Sequence, residues 1–105
     1  MAYPSKYTNA QVEILGVPVN PAKQLVAGSA SSNTALTSTV RRISMRAVGA
    51  DIRFSIGTGT QTANGTTSNF IANGERLDFA VPESANIAVI RDGTVNGTLE
   101  LTELI

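Results

Sequence analysis

The sequence of 105 residues contains no cysteine, no histidine and no tryptophan. Without cysteine the chain can form neither a disulfide framework nor a thiolate metal site. Without histidine it lacks the Ser-His catalytic triad, the histidine general base and the usual zinc ligands. We therefore expect a protein that is not an enzyme and that carries no cofactor.

Net charge is also missing, because eight basic and eight acidic residues cancel. Affinity for phosphate scales with the number of cationic contacts, so we expect no specific nucleic-acid partner. Aromatic residues are few, with two tyrosines and three phenylalanines. Aliphatic residues must therefore fill the core, which suits pleated sheets better than a large ligand cavity, and we expect no small-molecule substrate.

Long apolar runs are absent as well. No run approaches the roughly 20 residues that a membrane-spanning helix needs, and the polar first residues lack the apolar stretch of a signal peptide. We expect a protein that is made in the cytoplasm and makes no membrane contact. The length and the hydrophobic content of 42% fit one domain that folds without metal or disulfide.

What the chain does contain is alternation of apolar and polar residues, most clearly from Arg42 to Ile56, on both sides of Gly49. Period two on both sides of a glycine turn predicts two antiparallel strands joined as a hairpin, with one apolar and one basic face. A lone hairpin is marginal in water, so another sheet must cover the apolar face. The apolar positions are Ile43, Met45, Ala47, Ile52, Phe54 and Ile56.

Short alternating stretches of the same kind recur along the chain at spacings of roughly ten residues. They predict an all-β fold, an antiparallel β-sandwich of jelly-roll-like type with about seven or eight short strands. Residues 1–10 are expected to form an extended N-terminal arm, and residues 11–105 a single sandwich domain.

Breaks in the alternation predict turns and bends. Val40 and Ile43 fall on opposite parity, which predicts a bulge or kink near Arg41-Arg42. Asn73-Gly74 is a strong signal for a tight turn between strands.

The stretch from Asp92 to Glu103 comes close to a calcium-binding loop, with Asp, Asn, Gly and Glu at its first, fifth, sixth and twelfth positions. Thr94 replaces the usual acid or amide at the third position. The calcium motif also needs flanking helices, whereas the alternation on both sides predicts two strands joined by a hairpin turn. We therefore expect no metal here.

The N-terminal arm carries Tyr3 and Tyr7, the only tyrosines of the chain, together with Pro4. Pro4 opposes helix formation, and the neighbouring polar residues favour turns. Two aromatic side chains on an arm of this kind predict either docking on a partner or folding back over the domain's own core. We take Tyr3, Pro4 and Tyr7 as candidate interface residues.

Four arginines, half of the basic residues, fall within thirteen positions. These candidate interface residues are Arg41, Arg42, Arg46 and Arg53. The last three are expected to share the outer face of the hairpin, where they meet an acidic protein surface or nucleic acid. Alternatively, acids on neighbouring strands neutralise them; the candidates for that role are Asp51, Asp78 and Glu100.

Five stretches in the last two thirds of the chain, residues 40 to 105, together resemble a known group of proteins. They are RISM at 42–45, DIRFSIG at 51–57, GERLDF at 74–79, IAVI at 87–90 and GTLELTE at 97–103. In this order they resemble small β-sandwich structural proteins of tailed bacteriophages, which include the head decoration, or cement, proteins.

The resemblance implies a virion component on the capsid surface, synthesised in the host cytoplasm. Its implied partners are the major capsid protein and copies of itself, as a dimer or trimer. The alternative is a tail- or fibre-associated module that recognises a receptor or glycan through the polar loop at residues 57–69. That loop contains no aromatic platform for a sugar, so we rank the alternative lower.

Overall fold

The computed structural model describes residues 16 to 105, which form eight strands and no helix. The strands are β1 (Lys23–Ala27), β2 (Ser32–Ala35), β3 (Arg42–Val48), β4 (Ile52–Thr58), β5 (Asn69–Ile71), β6 (Arg76–Ala80), β7 (Ala85–Arg91) and β8 (Gly97–Leu104). The all-β prediction is confirmed. The arm at residues 1–10, with Tyr3, Pro4 and Tyr7, lies outside the described residues.

The strands form two four-stranded antiparallel sheets. Sheet I has the order β1-β8-β3-β6, and sheet II has the order β2-β7-β4-β5. The first strand therefore pairs with the eighth, the second with the seventh, the third with the sixth and the fourth with the fifth. Such nested pairing, wrapped into two sheets, is the jelly-roll arrangement that the sequence predicted.

The core lies between the inward faces of the two sheets, and aliphatic side chains fill most of it. In sheet I, Leu99 at the centre of β8 lies opposite Leu25 on one side and Ala47 on the other. In sheet II, Phe54 lies opposite Val89. The core members among the described residues are Leu25, Ala27, Leu36, Val40, Ile43, Met45, Ala47, Ile52, Phe54, Ile71, Val81, Ala85, Ile87, Val89, Leu99 and Leu101.

The predicted hairpin around Gly49 is wrong. Both of its strands form, as β3 and β4, but β3 belongs to sheet I and β4 to sheet II. Gly49, with φ of +95°, starts a connection that crosses from one sheet to the other. The apolar faces of the two strands therefore face each other across the core instead of lying side by side. Period two identifies a strand and its buried face, but it does not identify the neighbouring strand.

The hairpin predicted at Asp92-Gly93 is wrong for the same reason, because β7 and β8 lie in different sheets. The turn at Asn73-Gly74 is confirmed. The N–H of Glu75 donates to the carbonyl of Ala72 at 2.9 Å, and Gly74 has φ of +87°. This turn too joins strands of different sheets, β5 and β6.

In place of the bulge or kink predicted near Arg41-Arg42, the chain has a connection between the two sheets. Residues 36–41 link β2 to β3, and the N–H of Val40 donates to the carbonyl of Thr37 at 3.0 Å. Leu36 and Val40 are both buried. The change of parity therefore reflects a turn between two sheets and needs no irregularity within one strand.

Residues ahead of β1 extend sheet I along β8. Pro18 forms a bridge with Leu104, and Val17 exchanges two backbone hydrogen bonds with Ile105 at 2.9 and 3.0 Å. Residues 16 to 105 contain no helix that could serve as a membrane-spanning segment.

Candidate interaction surfaces

The structure separates the arginines that the sequence placed together. Arg42 and Arg46 lie on β3, on the outer face of sheet I, whereas Arg53 lies on β4, on the outer face of sheet II. The expectation of one shared basic face is therefore wrong, because these two outer faces point away from each other. Arg41 lies in the loop before β3 and forms an exposed ion pair with Glu83 at 3.7 Å.

Arg53 is held by three neighbours on sheet II. Its Nε donates to Asp92 Oδ1 at 2.8 Å, and its Nη1 donates to the carbonyl of Ser68 at 3.0 Å. The guanidinium carbon also lies 4.8 Å from the centre of the Phe70 ring, within the range of a cation–π contact. An acid does neutralise this arginine, but it is Asp92 instead of Asp51, Asp78 or Glu100.

The long polar connection between β4 and β5, residues 59–68, packs against sheet II. The N–H of Gln61 donates to Asn33 Oδ1 at 2.9 Å, and the N–H of Ala63 donates to Ser31 Oγ at 2.8 Å. Ala88, which alternation places on the outer face of β7, is fully buried. The connection therefore covers much of the outer face of sheet II with the chain's own residues.

Within residues 16 to 105, no connection between strands covers the outer face of sheet I in this way. We call this face the open face; it consists of the outward residues of β1, β8, β3 and β6. Strand register arranges them in cross-strand rows. One row is Val26, Thr98 and Val48, and the next is Gln24, Glu100, Arg46 and Arg76. Val26 and Val48 are 62% and 45% exposed, so the first row presents methyl groups to solvent.

The charges on the open face are only partly satisfied. Arg76 donates to Ser44 Oγ at 2.7 Å, and Gln24 donates to Glu100 Oε2 at 3.2 Å. Arg46 is exposed and has no side-chain hydrogen bond or ion pair to any residue in the range 16 to 105. Asp78 is likewise exposed and without such a partner within that range.

An apolar cleft, which we call the side cleft, opens between the edge strands β5 and β6. Its volume is about 440 Å³. Phe54 and Phe79 pack together at its base with ring centres 5.8 Å apart, and Phe79 and Phe70 remain 37% and 43% exposed. The lining residues are Phe54, Ile56, Asn69, Phe70, Leu77, Phe79, Ala80 and Pro82.

A smaller hollow of about 330 Å³ lies where three connections meet at one end of the sandwich. Asp51 and Asp92 line it, but each already accepts a hydrogen bond, Asp51 from the N–H of Asn73 at 2.8 Å and Asp92 from Arg53 at 2.8 Å. Residues 16 to 105 contain no group of three or more acids that could hold a metal ion. Glu103, the twelfth residue of the calcium-like stretch, lies near the far end of β8, about 20 Å along the strand.

Glu103 is a fully buried acid that sequence reasoning did not single out for a structural role. Its Oε2 accepts from the N–H of Thr37 at 2.7 Å, and its Oε1 accepts from Asn20 Nδ2 at 2.8 Å and from Thr37 Oγ1 at 3.1 Å. Lys23 Nζ lies 4.0 Å from the same oxygen. Burial raises the pKa of Glu103, but the hydrogen bonds and the lysine outweigh it, so the pKa lies below its ordinary value of 4.5.

Comparison of the chain with protein-family models, with curated proteins and with solved structures found no match.

Proposed function

We propose that this chain is a non-enzymatic structural protein of a tailed-bacteriophage virion, a decoration protein that binds the head shell and stabilises it. Its partners are the major capsid protein and further copies of the same chain. The jelly roll supports the proposal by analogy, because the fold recurs among viral capsid proteins, although a fold alone does not determine a function.

The observation that carries the proposal is the side cleft. Large exposed apolar patches on a domain of this size mark surfaces that a partner covers. Phe79, whose ring packs on Phe54 in this cleft, exposes 37% of its surface. Phe70 exposes 43% at the outer rim of the cleft, where its ring lies against Arg53. Aromatic side chains, phenylalanine included, are enriched at protein interfaces and can act as buried anchors when a partner excludes water from them.

The strands beside the cleft indicate how a partner binds. Among residues 16 to 105, β6 pairs with β3 alone and β5 pairs with β4 alone, so within that range each strand has one edge of unpaired backbone donors and acceptors. An extended segment can add to such an edge through main-chain hydrogen bonds, while its side chains enter an adjacent pocket. We propose that an extended segment of the shell subunit occupies the side cleft in this way.

The test is binding to head shells that lack the chain, taken from the phage that encodes it. The wild-type chain should bind at a fixed number of copies per shell, measured by co-sedimentation and by cryo-electron microscopy. Phe79→Ser should lower the affinity at least about tenfold, as expected for an aromatic anchor. Val95→Ser provides the matched control, because Val95 is 62% exposed in the loop before β8, away from the cleft.

Phe79 also packs on Phe54, so Phe79→Ser could weaken binding simply by destabilising the fold. A second variant that keeps this core contact separates the two effects. Asn69→Arg places a long charged side chain at an exposed position of the cleft and should block the segment without removing core contacts. Thermal unfolding of each variant reports whether the fold survives. Unchanged shell binding by well-folded Phe79→Ser and Asn69→Arg would rule out the side cleft as the shell contact.

The same cleft supports the second candidate, a tail or fibre module that binds a glycan. Exposed Phe79 and the amide of Asn69 together provide an aromatic surface and a hydrogen-bonding group, the two features that a sugar-binding site typically uses. The polar loop that the sequence suggested for this role packs on sheet II instead. A chain that ignores head shells but binds a glycan array, with loss in Phe79→Ser, would favour this candidate.

A further inference from the structure

We propose that two copies of this chain associate through the open face of sheet I, related by a twofold axis that runs along the line between β8 and β3. The inference rests on the proposed function for its context and goes beyond it by naming the surface through which copies meet. The other large face is unsuited to this contact, because residues 59–68 cover much of sheet II.

The open face is complementary to itself. In the β3–β8 register Glu100 lies opposite Arg46, and Thr98 lies opposite Val48. A twofold rotation about the line between the two strands exchanges their positions. Glu100 of each copy then lies over Arg46 of the other, and Thr98 over Val48, so acid meets base and methyl meets methyl. Such a self-complementary patch is what an isologous dimer requires.

The charged side chains at the centre of the open face, Arg46 and Glu100, favour contact with a second copy. Arg46 is exposed and forms no side-chain hydrogen bond or ion pair with residues 16 to 105, and Glu100 accepts a single bond from Gln24 at 3.2 Å. Both lie on the two central strands of the sheet, β3 and β8, so a covering copy would shield them from solvent. Shielding strengthens the attraction between opposite charges relative to the same pair in water.

The size of the face predicts a weak dimer. Four strands about 4.8 Å apart and five residues at about 3.3 Å each give a flat footprint of roughly 300 Å² per copy. Standard stable interfaces bury about 800 Å² per partner. The isolated chain should therefore dimerise only weakly, and salt should weaken the dimer further. On a shell, where neighbouring copies are held close, the same contact becomes effective through multivalency.

Charge reversal tests the contact and its symmetry by sedimentation equilibrium of the purified chain. Arg46→Glu and Glu100→Arg should each weaken the homodimer at least about tenfold, because every reversal creates two like-charge contacts. An equimolar mixture of these two variants should dimerise again, since each acid then faces a base in both contacts. Arg41→Glu is the control, because Arg41 lies outside the open face.

The mixture shows whether Arg46 and Glu100 interact between copies or within one copy. If the two charges interacted only within one copy, mixing the variants would not restore the dimer. Wild-type chain that stays monomeric up to about 1 mM would overturn the proposal. So would reversal variants that dimerise normally, or a mixture no better than its components. If Glu100→Arg fails to fold, Glu100→Gln and Arg46→Gln should each weaken the dimer about threefold.

The experiment contains no shell protein, so its outcome is separate from that of the proposed function. A monomeric chain that still decorates shells would end the dimer proposal alone. A dimer that ignores shells would end the decoration proposal alone.

Discussion

The carboxylate of Glu103 ties three parts of the chain together at one end of the sandwich. It lies on β8, on the inward side, and accepts hydrogen bonds from Asn20 ahead of β1 and from Thr37 in the connection before β3. Neither donor is on a strand, so the acid fixes two connecting segments to the sheet. A buried carboxylate is tolerated when several donors and a nearby cation compensate for lost water, as here.

Replacing Glu103 by Gln should lower the free energy of unfolding by about 1–3 kcal/mol at pH 7. The Gln amide turns one acceptor into a donor, which leaves either Thr37 N–H or the Asn20 amide without its acceptor. Urea denaturation of the two proteins measures the difference. Glu100→Gln is the control on the same strand; Glu100 is only half-buried, and its loss should cost less than about 0.5 kcal/mol.

The same pair of proteins tests the lowered pKa of Glu103. A depressed carboxyl pKa contributes stability above the ordinary value of 4.5 and loses it as pH falls through the folded-state pKa. The advantage of wild type over Glu103→Gln should therefore be constant near neutrality and shrink below about pH 4.5. Parallel stability curves down to pH 3 would contradict the lowered pKa.

Arg53 and Arg46 are chemically identical but differ in surroundings, which makes them a matched pair. Arg53→Gln breaks the bonds to Asp92 and Ser68 and should lower the free energy of unfolding by about 1 kcal/mol. The value stays modest because the Arg53–Asp92 pair is a quarter to a third exposed, at 25% and 30%, and solvent screens it. Arg46→Gln should change stability by less than about 0.5 kcal/mol. Equal losses in thermal and urea denaturation would contradict this assignment.

At the scale of elements, the connection at residues 59–68 behaves as a covering layer for sheet II. Asn64 organises its tip: its Oδ1 accepts from the N–H of Thr66 at 2.8 Å and of Thr67 at 3.1 Å, and its own N–H donates to Ser68 Oγ at 2.8 Å. The bonds to Asn33 and Ser31 then attach the connection to β2 and to the turn before it.

Asn64→Ala should therefore loosen this connection without unfolding the sheets. Amide hydrogen exchange at residues 61–67 should accelerate about tenfold, which corresponds to roughly 1.4 kcal/mol of local stability, while the amides of β7 stay protected. Thr62→Ala is the control, because the Thr62 side chain is exposed. If the wild-type amides of residues 61–67 already exchange at the rate of an unfolded chain, the connection does not cover the sheet.

The alternation of apolar and polar residues was enough to predict the strands and their buried faces. It was not enough to predict which strands pair with each other. Alternation assigns Ile43 and Ile52 to inward faces, and both are fully buried. The turn chemistry at Gly49 and Asn73-Gly74 was also recognised, yet such turns serve equally well in a hairpin and in a crossing between sheets. Which of the two forms depends on pairing with strands far along the chain, and local pattern carries no information about that.

The candidate surfaces were predictable to a similar extent. Alternation placed Arg46 and Arg53 outward, which is correct, but their common face required the hairpin that does not form. The side cleft forms only when the edges of two sheets come together. No local sequence pattern could therefore predict it. A signal for Glu103 did exist: it shares the parity of Leu99 and Leu101, so alternation already placed an acid inside.

At the scale of the whole molecule, nested pairing sets the order in which contacts can form. Only 10 residues separate β4 from its partner β5, whereas 69 separate β1 from its partner β8. Closing the longer loop costs about 1.7 kcal/mol more, at about 0.6 kcal/mol per doubling of length. The innermost pair should therefore form first, and β1 should dock last.

This order predicts different kinetic effects of two core substitutions, measured by stopped-flow unfolding and refolding in urea. Ile71→Val in β5 should slow folding, with φ above about 0.5, because its contacts belong to the early pair. Leu25→Ala in β1 should leave the folding rate nearly unchanged and speed unfolding, with φ below about 0.3. Ile71 and Leu25 are both buried. Ile71→Val should cost about 1 kcal/mol of stability and Leu25→Ala about 2–5 kcal/mol, and both losses are large enough to give a reliable φ. A high φ at Leu25 with a low φ at Ile71 would mean that the two ends of the described chain meet first, against the loop-closure argument.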